Sequence, residues 1–108
     1  MSNARAPVAH FEAMVWLLKE LADSGIELYE HHFDPHAFGS FVLTLSRGHR
    51  RVRFAWDGRD ATLSISFAHI ESSSDSNVNW THDANISLPN GEGLYEEIAS
   101  ESASMLAI

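Results

Sequence analysis

The sequence predicts an α+β fold, a two-layer sandwich in which N- and C-terminal helices cover one face of a five-stranded antiparallel meander. Apolar residues recur at helical spacing near both ends of the chain, whereas the middle alternates apolar and polar residues at the period of a strand. Turn-forming residues separate the alternating segments. The 108 residues show no linker and no internal repeat, so residues 1–108 are expected to form a single domain.

The first helix is predicted over residues 7–24, with Pro7 in its first turn and Gly25 just after its end. Trp16 falls on the polar face of this helix, and aromatic residues are enriched at interfaces, so Trp16 is a candidate partner-binding residue. Packing of Trp16 against the N-terminal arm or a loop is the alternative. The residues expected to face the sheet are apolar and three or four positions apart: Val8, Phe11, Met14, Val15, Leu18, Leu21 and Ala22.

An edge strand is predicted over residues 26–33, followed by a turn at Asp34-Pro35. Histidines and an aspartate crowd this segment, and all are metal-ligand types. Strand alternation separates neighbouring side chains, so the candidate metal site is the set that a compact turn could gather: His32, Asp34 and His36. A solvent-facing turn without a metal is the alternative.

The next strands are predicted at residues 41–46, 51–56 and 61–67. A two-residue loop at Gly48-His49 sets a register in which apolar residues face each other, as Leu43 faces Phe54. The following turn, WDGRDA, needs an even number of loop residues to keep Phe54 on the same face as Ile65.

A polar loop is predicted at residues 71–77, then a fifth strand at 77–88 and a helix at 93–106. The apolar side of the fifth strand is expected to carry Val78, Trp80, His82, Ala84, Ile86 and Leu88. The inward side of the last helix is expected to carry Leu94, Ile98, Ala99, Met105 and Leu106.

The opposite sheet face is rich in serine and threonine and carries Arg51 and Arg53. An antiparallel sheet can present such a face to water, which is the simplest interpretation. The alternative is a flat contact surface for a protein partner or for a second copy in a homodimer. Arg51 and Arg53 would anchor that contact, because a guanidinium makes forked hydrogen bonds to carboxylates.

Composition excludes several classes of function. A net charge of −8, with five arginines and two aspartates gathered between Arg47 and Asp60, argues against nucleic-acid binding and suits a protein partner. The chain has no cysteine, which fits a cytoplasmic location, and no apolar run approaches the roughly 20 residues of a membrane span. Phosphate-binding loops, nucleophile elbows and HExxH motifs are missing, so no cofactor is expected and an enzyme lacks support.

His69 and His82 are interpreted as rim histidines of the sheet. Protonating the seven histidines would cancel most of the negative charge, so self-association is expected to change between about pH 5 and 7.

The predicted order of a helix, five strands and a helix resembles that of frataxin-like proteins, which place two helices on one face of an antiparallel sheet. The first helix departs from that family because it lacks a dense acidic ridge. Small bacterial immunity proteins are similar in size and acidic charge. Such likeness does not fix a function.

The leading hypothesis is a small acidic protein-interaction module that binds through the polar sheet face or the Trp16 helix face. The alternative is a metal- or ligand-binding protein using His32, Asp34 and His36, and an enzyme with an unrecognised site is a third.

Overall fold

A computed structural model confirms the two-layer α+β sandwich. The structure describes residues 5–34, 36–70 and 79–106, so the predicted polar loop at 71–77, Val78 and Pro35 lie outside the described residues. The strands form one antiparallel sheet in sequence order. Along the chain lie α1 (Arg5–Ala22), β1 (Glu27–Asp34), β2 (Ser40–Arg47), β3 (Arg50–Asp57), β4 (Thr62–His69), β5 (Thr81–Ser87), a 3₁₀ turn (Pro89–Gly91) and α2 (Leu94–Met105).

The central hairpins have the predicted register. Leu43 lies opposite Phe54, and Gly48 has a φ of 60°, a conformation that glycine adopts without a steric penalty. Phe54 in turn lies opposite Ile65. The β3–β4 loop has four residues, 58–61, and begins one residue later than expected, so Ala61 is in the loop rather than in the strand. The even loop length keeps the apolar residues of β2, β3 and β4 on one face, as predicted.

The core lies between this apolar face and the two helices. Each large side chain removed from water there contributes about 1.5–3 kcal/mol. α2 presents its predicted side, with Leu94 and Ile98 buried, and Arg47 Nη1 donates a hydrogen bond of 3.0 Å to the Leu106 carbonyl just beyond the helix. The fully buried apolar residues of the sheet are Leu43, Leu45, Val52, Phe54, Leu63 and Ile65.

The side of α1 that faces the sheet differs from the prediction. Four residues are buried, and they form what we call the inner row: His10, Met14, Leu17 and Leu21. Val8, Phe11 and Val15 were expected in the core but are about half exposed. The helix carries two interleaved rows of apolar residues, and the predicted side mixed them. Met14 and Leu21 were assigned correctly, whereas His10 and Leu17 were missed.

The sheet faces predicted for the residues of β5 are correct from Ala84 to the end of the strand and wrong before Asp83. Ile65 lies opposite Ala84, whereas Ser66 lies opposite His82, so Asp83 is an extra residue in a β-bulge. The extra residue reverses the alternation before it, and His82 therefore lies on the polar face instead of the apolar one. The strand begins at Thr81, so residues 79 and 80, which were predicted to belong to it, precede it.

Candidate functional site

Arg51 and Arg53 lie on the polar face of β3, as predicted, and each stacks on an aromatic ring. The guanidinium carbon of Arg51 is 3.7 Å from the centre of the Tyr29 ring, and that of Arg53 is 4.1 Å from the Trp80 ring. Stacking of this kind leaves the edge of a guanidinium free to bind a carboxylate.

The rings reach the arginines because both edge strands are irregular. In β1 the register shifts between Leu28 and Glu30, which leaves Tyr29 as the extra residue. In β5 the bulge at Asp83 follows Trp80 by three positions. Bulges re-aim side chains, and each of these two brings an aromatic residue over the polar face from a different edge. Sequence alternation assigned Trp80 to the apolar face because a bulge leaves no mark on the hydropathy pattern.

A polar chain links the first three strands on this face. Thr44 is fully buried, its Oγ1 donates to Glu30 Oε1 at 3.2 Å, and Arg53 Nε donates to the same Oγ1 at 3.4 Å. Arg53 Nη2 also lies 3.4 Å from Glu30 Oε1. Both ionic side chains are well exposed, so the pair adds little to stability and chiefly orients Arg53.

A concavity of about 740 Å³ lies at one end of the polar face. Its floor includes Val42, Ala55 and Ser64, and the loop between β3 and β4 contributes Arg59. The three predicted metal ligands all line it: His32, Asp34 and His36. The structure therefore brings the three predicted residues to the lining of one surface concavity.

The same residues do not converge on one point. Asp34 Oδ1 accepts a hydrogen bond of 2.9 Å from the backbone N–H of His36, a local turn contact. Within the described ranges, no three histidine, aspartate or glutamate side chains are grouped so that they could hold a metal ion. The metal site stays a prediction from the sequence.

The outer face of α1, the side turned away from the core, is a second surface. Val8, Phe11 and Val15 lie along one stripe of it, and Trp16 lies off that stripe, toward the polar side of the helix. All four side chains are between 42% and 57% exposed. Trp16 is exposed as predicted. The other three were missed, because an apolar residue at helical spacing was taken to be buried.

A buried histidine cluster lies where α1, β1 and α2 meet. His10 Nδ1 is 2.6 Å from the Tyr95 hydroxyl, and His10 Nε2 is 2.8 Å from His31 Nε2. The His10 ring also stacks on Phe33 at 4.4 Å between centroids. Burial, followed by the charge of His31, lowers the pKa of His10 from 6.5 to about 4, and burial raises the pKa of Tyr95 to about 12. Sequence reasoning missed this cluster, although the spacing of His10 from Met14, Leu17 and Leu21 carries the signal.

The two rim histidines occupy different faces. His69 lies opposite Arg50 at the end of β4, with its ring centroid 6.2 Å from that of His49. His82 Nε2 lies 3.0 Å from Asn85 Oδ1, and Asn85 Oδ1 also accepts a hydrogen bond from Ser64. Both histidines are exposed, and these contacts account for His82 as a surface hydrogen-bonding residue.

The fold and these surfaces define a two-layer α+β domain with an open polar sheet face and an open apolar helix face. Comparison with protein-family models, with curated protein sequences and with solved structures gave no match to this chain. No helix in the described part of the chain combines the length and apolarity that crossing a bilayer requires.

Proposed function

We propose that this protein is a small protein-interaction module that binds a protein partner through the outer face of α1. The exposure of Val8, Phe11, Val15 and Trp16 on one helix carries the proposal. Exposed apolar groups scattered singly over a surface are ordinary, whereas a row along one element is typical of an interface.

Affinity capture from native lysate, followed by mass spectrometry, tests this function. The change Val15→Asp places a charge in the middle of the outer face and is expected to abolish capture without unfolding the protein, because Val15 is 53% exposed. Trp16→Ala is expected to weaken capture. Phe38→Ala is the control, since Phe38 is exposed in the turn before β2. A partner that is retained by Val15→Asp would contradict the proposal.

The polar face supports a second contact in the same function. Arg51 and Arg53 are held by Tyr29 and Trp80, and held side chains lose less entropy on binding. A carboxylate-bearing loop of a partner protein fits the two arginines.

A ligand-binding function is the second candidate, and the concavity lined by His32, Asp34 and His36 favours it. Calorimetric titration of tag-free protein with zinc tests the metal version. Micromolar or tighter binding that is lost in His32→Ala and kept in His69→Ala would support it. Heat changes that are the same in all three proteins would overturn it.

A further inference from the structure

Helix α1 carries an outer row of apolar residues with strict three- and four-residue spacing. The outer row consists of Val8, Phe11, Val15, Leu18 and Ala22, and it runs beside the buried inner row. Val8, Phe11, Val15 and Ala22 are exposed, and Leu18 is half-buried. The spacing is that of the a and d positions of a heptad repeat, the pattern by which one helix packs along another.

The residues that flank the outer row differ on its two sides. With Val8, Val15 and Ala22 at position a, the g positions are Met14 and Leu21, which belong to the inner row and are buried. The e positions are Glu12 and Lys19, and both are exposed. A partner helix therefore meets one open, charged flank, and Lys19 is the one lysine in the sequence.

The charges of this flank select the orientation of a second copy. In an antiparallel pair of helices, e positions face e positions, whereas in a parallel pair they face the g positions, which here are buried. A two-fold axis repeats every contact, so Glu12 facing Lys19 of the second copy gives two ion pairs. Sliding either helix by a heptad instead places Glu12 against Glu12 or Lys19 against Lys19.

The same offset also matches the sizes of the apolar residues. When Glu12 faces Lys19 of the second copy, Phe11 lies opposite Ala22, and Val15 lies opposite Leu18. A large side chain therefore meets a small one, and two of intermediate size meet each other, which is the alternation that fills an interface without voids.

We propose that the occupant of the outer face of α1 is a second copy of this chain, paired as an antiparallel helix dimer with reciprocal Glu12–Lys19 contacts. This inference rests on the proposed interaction function and names its partner. At this offset Val8 faces Gly25 of the second copy, beyond the end of α1. The paired part of the row is therefore residues 11–22, or about 17 Å at 1.5 Å per residue, which is short for a stable interface. The dimer is therefore concentration-dependent rather than permanent.

Charge reversal followed by sedimentation equilibrium over a concentration series tests the pairing. Glu12→Lys and Lys19→Glu each put like charges together at two places and are expected to weaken the dimer by about tenfold or more. The double variant Glu12→Lys with Lys19→Glu restores both pairs and is expected to dimerise like the wild type. Glu20→Lys, an exposed change off the outer row, is the control and is expected to leave the equilibrium almost unchanged.

An equimolar mixture of the two single variants gives the sharpest result. One chain then carries two lysines and the other two glutamates on the flank, so the mixture is expected to form a heterodimer although each variant alone dimerises at least about tenfold more weakly than the wild type. Single variants that behave like Glu20→Lys, or a double variant that stays monomeric, would overturn the antiparallel pairing. A wild type that is monomeric at every concentration would overturn self-association, and the effect of Val15→Asp on lysate capture would then judge the interaction function separately.

Discussion

His10 shows how a single residue can change the interpretation of a whole helix. A neutral imidazole has one N–H donor and one lone pair, and the two neighbours of His10 use both nitrogens. This pairing allows a histidine to occupy a core position that hydropathy assigns to an apolar residue. With His10 inside, Val8, Phe11 and Val15 turn toward solvent.

The low pKa of His10 predicts a pH dependence of stability. The folded protein binds this proton less readily than the unfolded chain, so the contribution of His10 to the free energy of unfolding is complete above about pH 6.5. It is lost as the pH falls toward 4, the pKa in the folded protein. Urea unfolding of the wild type is expected to show this loss.

The double change His10→Phe with Tyr95→Phe removes the ionisable group and its hydroxyl partner together. Replacing both members of this pair is expected to change stability at pH 7.5 by less than about 1 kcal/mol, because His31, which loses its contact with His10, is only partly buried. The dependence below pH 6.5 is expected to become shallower, with the part due to the lowered pKa of His31 remaining. His69→Gln, an exposed change, is the control and is expected to keep the wild-type slope. An unchanged slope in the double variant would assign the pH dependence to other groups.

The positions of Arg51 and Arg53 on the polar face predict that partner binding can be weakened while the fold stays stable. Arg51→Glu with Arg53→Glu is expected to weaken partner binding while costing the fold about 1 kcal/mol, because the Arg53–Glu30 pair is well exposed. Thermal unfolding and a binding assay with a captured partner measure the two effects. Arg59→Glu is the charge control. Unchanged binding would exclude the polar face as a contact surface.

At the scale of elements, the sequence predicted what depends on strand period and loop length. The register of β2, β3 and β4 followed from pairing Leu43 with Phe54 and from an even loop before Ile65. Two errors share a physical origin, since neither a bulge nor a buried hydrogen-bond pair changes hydropathy. The extra residue at Asp83 therefore moved His82 to the opposite face, and the hydrogen bonds of His10 concealed its place in the inner row of α1. Trp16, the two arginines and the residues around the concavity were named from the sequence as candidate sites and stay predictions, whereas the aromatic rings that stack on the arginines were not predicted.

The turn before β2 and the loop after β3 touch through Gly58. Its backbone N–H donates to Ser40 Oγ at 2.9 Å, and a Cβ at this position would overlap the Phe38 carbonyl oxygen and lie 2.9 Å from its carbonyl carbon. Because backbone cannot move aside as a side chain can, only glycine fits here. Both segments line the concavity, so their contact sets its shape.

Gly58→Ala is therefore expected to lower the free energy of unfolding by about 2–3 kcal/mol and to displace the turn at residues 36–39. Gly39→Ala is the matched control, since Gly39 has a φ of 73° and open space around it, and its expected cost is about 1 kcal/mol. Urea unfolding compares the two variants. Equal losses would show that the overlap with Phe38 is relieved without cost.

At the scale of the whole molecule, net charge opposes association of two copies. Each carries −8 at neutral pH, and protonation of histidines reduces that repulsion as the pH falls, except at His10 and His31, where burial lowers the pKa. At low salt the dimer is therefore expected to strengthen between pH 7 and pH 5.5, as sedimentation equilibrium can measure. High salt screens the same repulsion and is expected to reduce the difference between the two pH values. A dimer that weakens on acidification would contradict this expectation.

The hydrogen bond between His10 and Tyr95 also bears on the order in which the chain folds. It joins residues 85 positions apart, whereas each strand of the described sheet pairs with its neighbours in sequence. Hairpins of short sequence separation close quickly, and contacts between distant segments close late. As the chain leaves the ribosome, α1 is made before the strands of the sheet, yet it can meet α2 only after them. Until α2 is synthesised, His10 lacks its hydrogen bond to Tyr95, so α1 stays incompletely packed for longer than the hairpins of the sheet.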